Sequence, residues 1–356
     1  MRVALLTLVT IVIFIIVGFT IKGRSRTFDL ALIAFLSVVS ALNTTHADYL
    51  NYLVLYRSSY LSFGSNDGEI GWQALCYIGN MLGLSYQVFF GVLLFVVLCA
   101  AYVLMRKISG NTAFSWSLLL LFPLFADIVQ IRQLVAAVVL MYGFWLSSRN
   151  PGIKGGACGL GTVLIAFCFH SSALAFAMVY ALLWVSGKGT KPMVLSSLLI
   201  ALVCVVFSNQ LFALLADEFE SKFDMSYVSS ANILVVAANI VEFCLVEGAC
   251  YCYSKKKASS VDQRFVKHVR AMNWMLLAML PLIALSGGRL TRFQYYRYPT
   301  NYLVLSKLVF EDEMKMRSRY WMEGAVITLY IVYVVGRSIL FNLQDWQAVT
   351  QSFLVF

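Results

Sequence analysis

The sequence predicts an all-α polytopic membrane protein with about twelve transmembrane helices in one integral membrane domain spanning residues 1–356. Three observations carry that prediction. The 356 residues are 61% hydrophobic and only 12% charged, whereas soluble domains average roughly half apolar and a quarter charged. So much apolar surface cannot hide in one soluble core, and lipid must act as solvent for much of it. Long apolar runs alternate with short basic clusters, which turns the net charge of +10 away from nucleic acid and toward loop charges that orient a membrane protein.

A helix needs about 20 apolar residues to cross a bilayer, fewer inside a bundle. Twelve runs qualify: 3–21, 28–45, 86–105, 112–125, 131–147, 157–170, 172–186, 192–208, 231–253, 271–286, 297–310 and 321–340. The first is too long for the apolar core of a signal peptide and is followed by no small-residue cleavage site, so it is expected to stay as a helix. Residues 71–85 read as a half-length helix on or in the membrane surface. Residues 209–230 repeat Leu211, Leu215, Phe219 and Phe223 with acids between them, the pattern of an interfacial amphipathic helix or of a surface helix covering the bundle.

Short loops that are rich in Lys and Arg stay in the cytoplasm. Of the 27 basic residues, eighteen fall in one set of loops, including the basic stretch 254–270, and eight on the other side with both termini. Lys307 lies within a helix. The outer side then comprises loops 46–70, 125–132, 209–230 and 287–298. Seven of its eight basic residues are arginine, whereas ten of the eighteen cytoplasmic ones are lysine. Arginine presents a planar fork of donors that matches phosphate or carboxylate, which lysine lacks.

The eight cysteines form no CxxC pattern and mostly lie within apolar runs, and with only three histidines no zinc site is expected. No metal or cofactor is expected at all. The acidic run Glu311, Asp312 and Glu313 lies beside Lys315, Arg317 and Arg319, where a solvated cytoplasmic loop explains it. Neither a Walker loop nor a GxGxxG is present, so nucleotide binding is not indicated.

Candidate chemistry gathers on the outer side. Arg132 opens the helix 131–147 at its outer end, after the turn D-I-V-Q-I-R-Q, where free amides and a partial positive charge favour an anion. His170 lies in the outer turn F-H-S-S-A-L, with Ser171 or Ser172 expected to cap the next helix; His46, at the start of the first outer loop, competes with it. The segment G-G-R-L-T-R-F-Q-Y-Y-R-Y-P places Arg289, Arg292 and Arg297 among tyrosines, against the positive-inside bias, as a clamp for a diphosphate or for lipid headgroups. Glu242 and Glu247 sit within the run 231–253, where an ionisable group is a functional suspect; Glu242 is expected to line a cavity or pair with an arginine, and Glu247 to reach the cytoplasmic interface.

Five of these segments, in this order, resemble the EpsG-like branch of the Wzy-type polysaccharide polymerases, bacterial membrane glycosyltransferases of the GT-C class. They are D-Y-L-N-Y at 48–52, E-I-G at 69–71, I-R-Q at 131–133, F-H-S-S-A-L at 169–174 and R-F-Q-Y-Y at 292–296. The family often shows E-P-G or E-P-x where this chain has E-I-G. The resemblance implies a GT-C-like helical fold in the bacterial inner membrane, with the active site toward the periplasm or exterior. It implies transfer of a glycan from undecaprenyl diphosphate to a hydroxyl of an incoming lipid-linked repeat unit, so the expected partners are these lipid-linked oligosaccharides, membrane lipids and, as a further candidate, a chain-length regulator. The roles expected are a diphosphate grip by Arg132, Gln133, Arg289, Arg292 and Arg297, and a general base or acceptor-orienting group in His170, with Asp48 and Glu69 as rivals. Tyr49, Tyr52, Tyr295 and Tyr296 are expected against sugar faces or hydroxyls. A flippase or transporter of lipid-linked sugars, an O-antigen ligase and a membrane O-acyltransferase are the competing functions.

Overall fold

The computed structural model describes residues 2–44, 48–59, 69–186, 190–208, 210, 233–256, 258–285, 289–311 and 320–341, and among them every regular element is a helix. In chain order these are α1 Arg2–Thr20, α2 Arg26–Leu42, α3 Tyr49–Ser58, α4 Ile70–Met81, α5 Tyr86–Ile108, α6 Thr112–Leu121, α7 Leu124–Val129, α8 Ile131–Arg149 and α9 Ile153–Phe167. A 3-10 helix, Ser171–Phe176, precedes α10 Ala177–Ser186 and α11 Thr190–Val206. Then come α12 Ile233–Ser254, α13 Ser260–Ala278, α14 Leu280–Leu285, a second 3-10 helix Arg289–Arg297, α15 Tyr298–Phe310 and α16 Tyr320–Phe341.

Four stretches are long and apolar enough to cross a membrane unaided: Tyr86–Ile108, Ile131–Arg149, Val235–Ser254 and Trp321–Ile339. Shorter apolar helices such as Leu6–Thr20 and Lys191–Val206 pack around them. Leucines 195, 198, 199 and 202 of α11 stay exposed, the surface that lipid rather than water would cover. The centre is α8 and α15, whose side chains are mostly buried: α8 packs on α9, α5 and α13, and α15 on α6, α12 and α13.

Several segments expected as loops are helical. The first outer loop contains α3, whose Tyr49, Tyr52 and Tyr56 share one buried face at helical spacing. Similarly, α7 and the second 3-10 helix occupy most of 125–132 and 287–298. The basic stretch 254–270 is a loop only at its start. Ser259 caps α13 by accepting from the Asp262 amide, and Phe265, Val266, His268 and Val269 then turn inward. The run 112–125 is split rather than continuous, because Pro123 supplies no amide donor and drives Phe122 out of helical geometry. The helix expected within 209–230, together with His46, Asp312 and Glu313, lies outside the described residues.

The two ends of the bundle differ in chemistry. At one end, Ser109 and Ser306 share a 2.7 Å hydrogen bond, the Arg24 guanidinium donates to the Ser109 carbonyl at 2.9 Å, and Lys256 donates to the Leu308 carbonyl at 2.7 Å. Arg264 donates to the Ser148 carbonyl there, and Arg270 ion-pairs with Glu247. These basic residues belong to the loops the charge count groups as cytoplasmic. The opposite end gathers the beginnings of α4 and α8 and the two 3-10 helices.

Candidate active site

Glu69 is the N-cap residue of α4, and Arg132 is the second residue of α8. Their side chains form an ion pair, each still partly open at 15% and 17% exposure. The second oxygen of Glu69 accepts from the Ser171 amide at 3.4 Å, so one carboxylate ties α4, α8 and the His170 turn together. Arg132 also lies over the Tyr52 ring, 5.3 Å from its centroid. The pair uses Nη1 of the guanidinium, so other donors of its planar fork remain for a second anion, a role an ammonium fills only as a point charge.

Gly71 explains how these elements approach so closely. Its amide donates to the Cys168 carbonyl at 2.7 Å, and a Cβ added there would stand 2.8 Å from that oxygen. Only a residue without a side chain fits. The turn that follows is capped by His170 itself, not by the serines: its Nδ1 accepts from the Ser172 amide at 3.3 Å. Ser172 Oγ lies 2.7 Å from the same Nδ1 and 2.9 Å from the Tyr296 hydroxyl. Tyr296 packs its ring on Phe176, and burial pushes its phenol above the ordinary tyrosine range, so it remains a protonated hydroxyl.

The remaining candidates distribute unevenly around this centre. Gln133 is buried and donates to the Arg292 carbonyl at 2.7 Å, which fixes the second 3-10 helix beside the start of α8. The Arg292 side chain is exposed, and among the described residues it makes no ion pair. Arg289 begins the same 3-10 helix, its side chain lying outside the described set. Asp48 precedes α3 without capping it through its side chain, and Tyr52 lies within electrostatic reach of Asp48, Glu69 and Arg132. The tyrosines are walls rather than open platforms. Tyr49 accepts from Gln87 at 2.7 Å and packs on Tyr86, Tyr52 packs on Trp72, and Tyr295 packs on Phe122 and Tyr298. With Tyr49, Tyr52 and Tyr296 all buried, stacking on sugars finds no free ring face there.

The model of the EpsG family matches residues 26–347, nearly the whole chain and all five motif segments. The chain belongs to the EpsG family. This is a family of Wzy-like polysaccharide polymerases. Comparison with curated proteins and with solved structures gives no match.

In this EpsG-family protein one expected member of the clamp lies elsewhere. Arg297 is 1% exposed and donates to Glu242 at 3.0 Å and to Asn239 at 2.7 Å. It is therefore a buried structural cation, because a desolvated guanidinium must be neutralised where it sits. Arg337 joins the same carboxylate at 3.3 Å, with Tyr330 and Tyr333 donating hydroxyls at 3.2 and 3.0 Å. Pairing of Glu242 with an arginine is thus observed, and Glu247 pairs with Arg270 near the basic end. The sequence reading missed Arg337 as Glu242's second cation, and its only signal was an arginine interrupting an apolar run. It also missed Ser172, whose serine pair was read as a helix cap. Among the described residues, no group of three or more His, Cys, Asp or Glu comes together.

Proposed function

We propose that this EpsG-family polymerase extends a glycan carried on undecaprenyl diphosphate, working at the outer end of the bundle where α4, α8 and the two 3-10 helices meet. The observation that carries the reading is the Glu69–Arg132 pair set beside the His170 turn, with Arg292 brought alongside through Gln133. A hydroxyl oxygen of the incoming repeat unit attacks the anomeric carbon of the growing glycan. The bond from that carbon to phosphate breaks, and its electron pair leaves with undecaprenyl diphosphate.

Arg132 and Arg292, with Arg289 on the same segment, neutralise the charge that develops on the departing diphosphate, the kind of preorganised stabilisation that dominates many enzymes. Glu69 holds Arg132 with one oxygen and the Ser171 amide with the other, so both its oxygens are committed. Asp48, whose side chain makes no capping bond, takes the hydroxyl proton in this reading. His170 orients an oxygen of the substrate.

The substrates imply membrane lipids around the site, and the basic end of the bundle then faces the cytoplasm, with the catalytic end toward the periplasm or exterior. Purified protein mixed with lipid-linked repeat units should produce a ladder of lengthened glycans on a gel. Single units left unextended in the presence of protein would remove the reading. Transfer only to a different lipid acceptor would make the protein a ligase.

A further inference from the structure

We infer that Lys107 and Arg149, at the basic end of the bundle, bind the phosphate of an anionic membrane phospholipid beside Trp145, with its acyl chains along α5. Lys107 stands in the last turn of α5 and Arg149 in the last turn of α8. Cations there suit the carbonyl ends of both helices, but that alone would not bring them to one ring. The Lys107 ammonium lies 4.5 Å from the Trp145 ring centroid, and the Arg149 guanidinium carbon 5.0 Å from the same point. Arg149 reaches the ring from one turn further along α8, whereas Lys107 comes from the neighbouring helix. The Tyr142 hydroxyl donates to the Ala100 carbonyl at 2.9 Å and so holds this part of α8 against α5. The rings of Tyr142 and Trp145 meet edge-on.

Two cations that share one ring lie at most about 10 Å apart, comparable with the screening length in dilute salt, so they repel each other. Both side chains are exposed, and among the described residues neither makes an ion pair or a hydrogen bond. The ring face attracts each of them. An anion between them removes the repulsion as well, and a phosphate matches the guanidinium fork.

The surface of α5 says which anion. Val92, Val96 and Val103 are exposed and lie with Lys107 on one face of the helix. From Val96 to Lys107 the helix rises about 16 Å, close to the depth of one leaflet, half of a hydrocarbon core of about 30 Å. A soluble anion would use the cations and leave this stripe idle. A phospholipid uses all three parts: its chains cover the valines, the indole sits at headgroup level, and the phosphate meets the two cations. This site does not rest on the polymerase reading, and a protein that makes no glycan ladder would leave it standing.

Delipidated full-length protein in detergent, titrated with dioctanoyl phosphatidylglycerol and followed by native mass spectrometry, gives the test. The parent should bind this lipid at least about tenfold more tightly than dioctanoyl phosphatidylcholine, which carries no net charge. Lys107→Gln and Arg149→Gln should each weaken binding about fivefold, the effect of one basic residue at an anionic surface, and together about 25-fold. Lys107→Arg keeps the charge and should bind like the parent, which separates charge from damage to the fold. Lys22→Gln with Lys191→Gln removes the same charge from other exposed positions of the basic loops and should also bind like the parent. Equal affinity for the two lipids, unchanged binding by the Lys107 and Arg149 double variant, or an equal loss in the Lys22 and Lys191 pair would overturn the inference. Displacement of the lipid by an equal concentration of inorganic phosphate would overturn it too, by making the pair a site for soluble anions.

Discussion

Glu69 and Arg132, separated by 63 residues in the chain, meet as an ion pair at the starts of two helices. The pair converts a long flexible cation into a fixed one. A guanidinium held through one nitrogen loses little further freedom when its other donors take up phosphate. Replacing Arg132 by lysine keeps the charge and removes those further donors of the fork. Arg132→Lys is expected to slow incorporation of repeat units by roughly 10- to 100-fold, the loss of one charge-assisted contact of about 1.5–3 kcal/mol. Ladder formation at the parent rate would show that Arg132 is no part of the grip.

Glu69→Gln separates binding from turnover. The substitution leaves Arg132 unneutralised, so attraction for an anionic lipid rises. It also weakens the anchor shared by α8 and the Ser171 amide. The expected result is a lower KM for the lipid-linked donor together with about a tenfold lower kcat. Unchanged kcat in steady-state assays would mean that the ion pair does not set the geometry of the reacting groups.

Gly71 and Gly161 form a matched test of backbone approach. At Gly71 an added methyl would meet the Cys168 carbonyl oxygen at 2.8 Å and its carbon at 3.1 Å, both backbone atoms with nowhere to go. Gly71→Ala should cost about 1–3 kcal/mol in stability and lower activity by displacing the His170 turn. Gly161, inside α9, has nothing within 4 Å of such a methyl. Gly161→Ala should be neutral or stabilising by up to about 1 kcal/mol. Thermal unfolding of the two variants in one detergent compares them directly.

The buried cluster around Glu242 predicts an asymmetry between its members. Glu242→Gln strands Arg297 and Arg337 without a counter-charge and is expected to destabilise by about 3–5 kcal/mol. Arg337→Gln leaves the Glu242–Arg297 pair intact and should cost clearly less. Equal unfolding temperatures for the two variants would show that Glu242 does not neutralise both arginines.

Part of the candidate site was legible before any coordinates. Arg132 was readable because an arginine at a helix start opposes the positive-inside bias, and His170 because it stands between two apolar runs. Arg292 and Arg297 looked alike in sequence, five residues apart in one aromatic segment. The 3-10 helix turns them differently, one to the surface and one onto Glu242.

By itself the sequence determined that this chain is an all-helical membrane protein and which basic residues group together along it. Those properties follow from hydropathy and charge summed along short windows, and neighbours far away in the chain do not change them. Only the tertiary structure decided that Glu69 holds Arg132, that Gly71 touches Cys168 and that Arg297 belongs to Glu242. Each of these is a contact between helices. Its energy depends on distances of a few ångströms between segments far apart in the chain, which no local pattern of residues encodes.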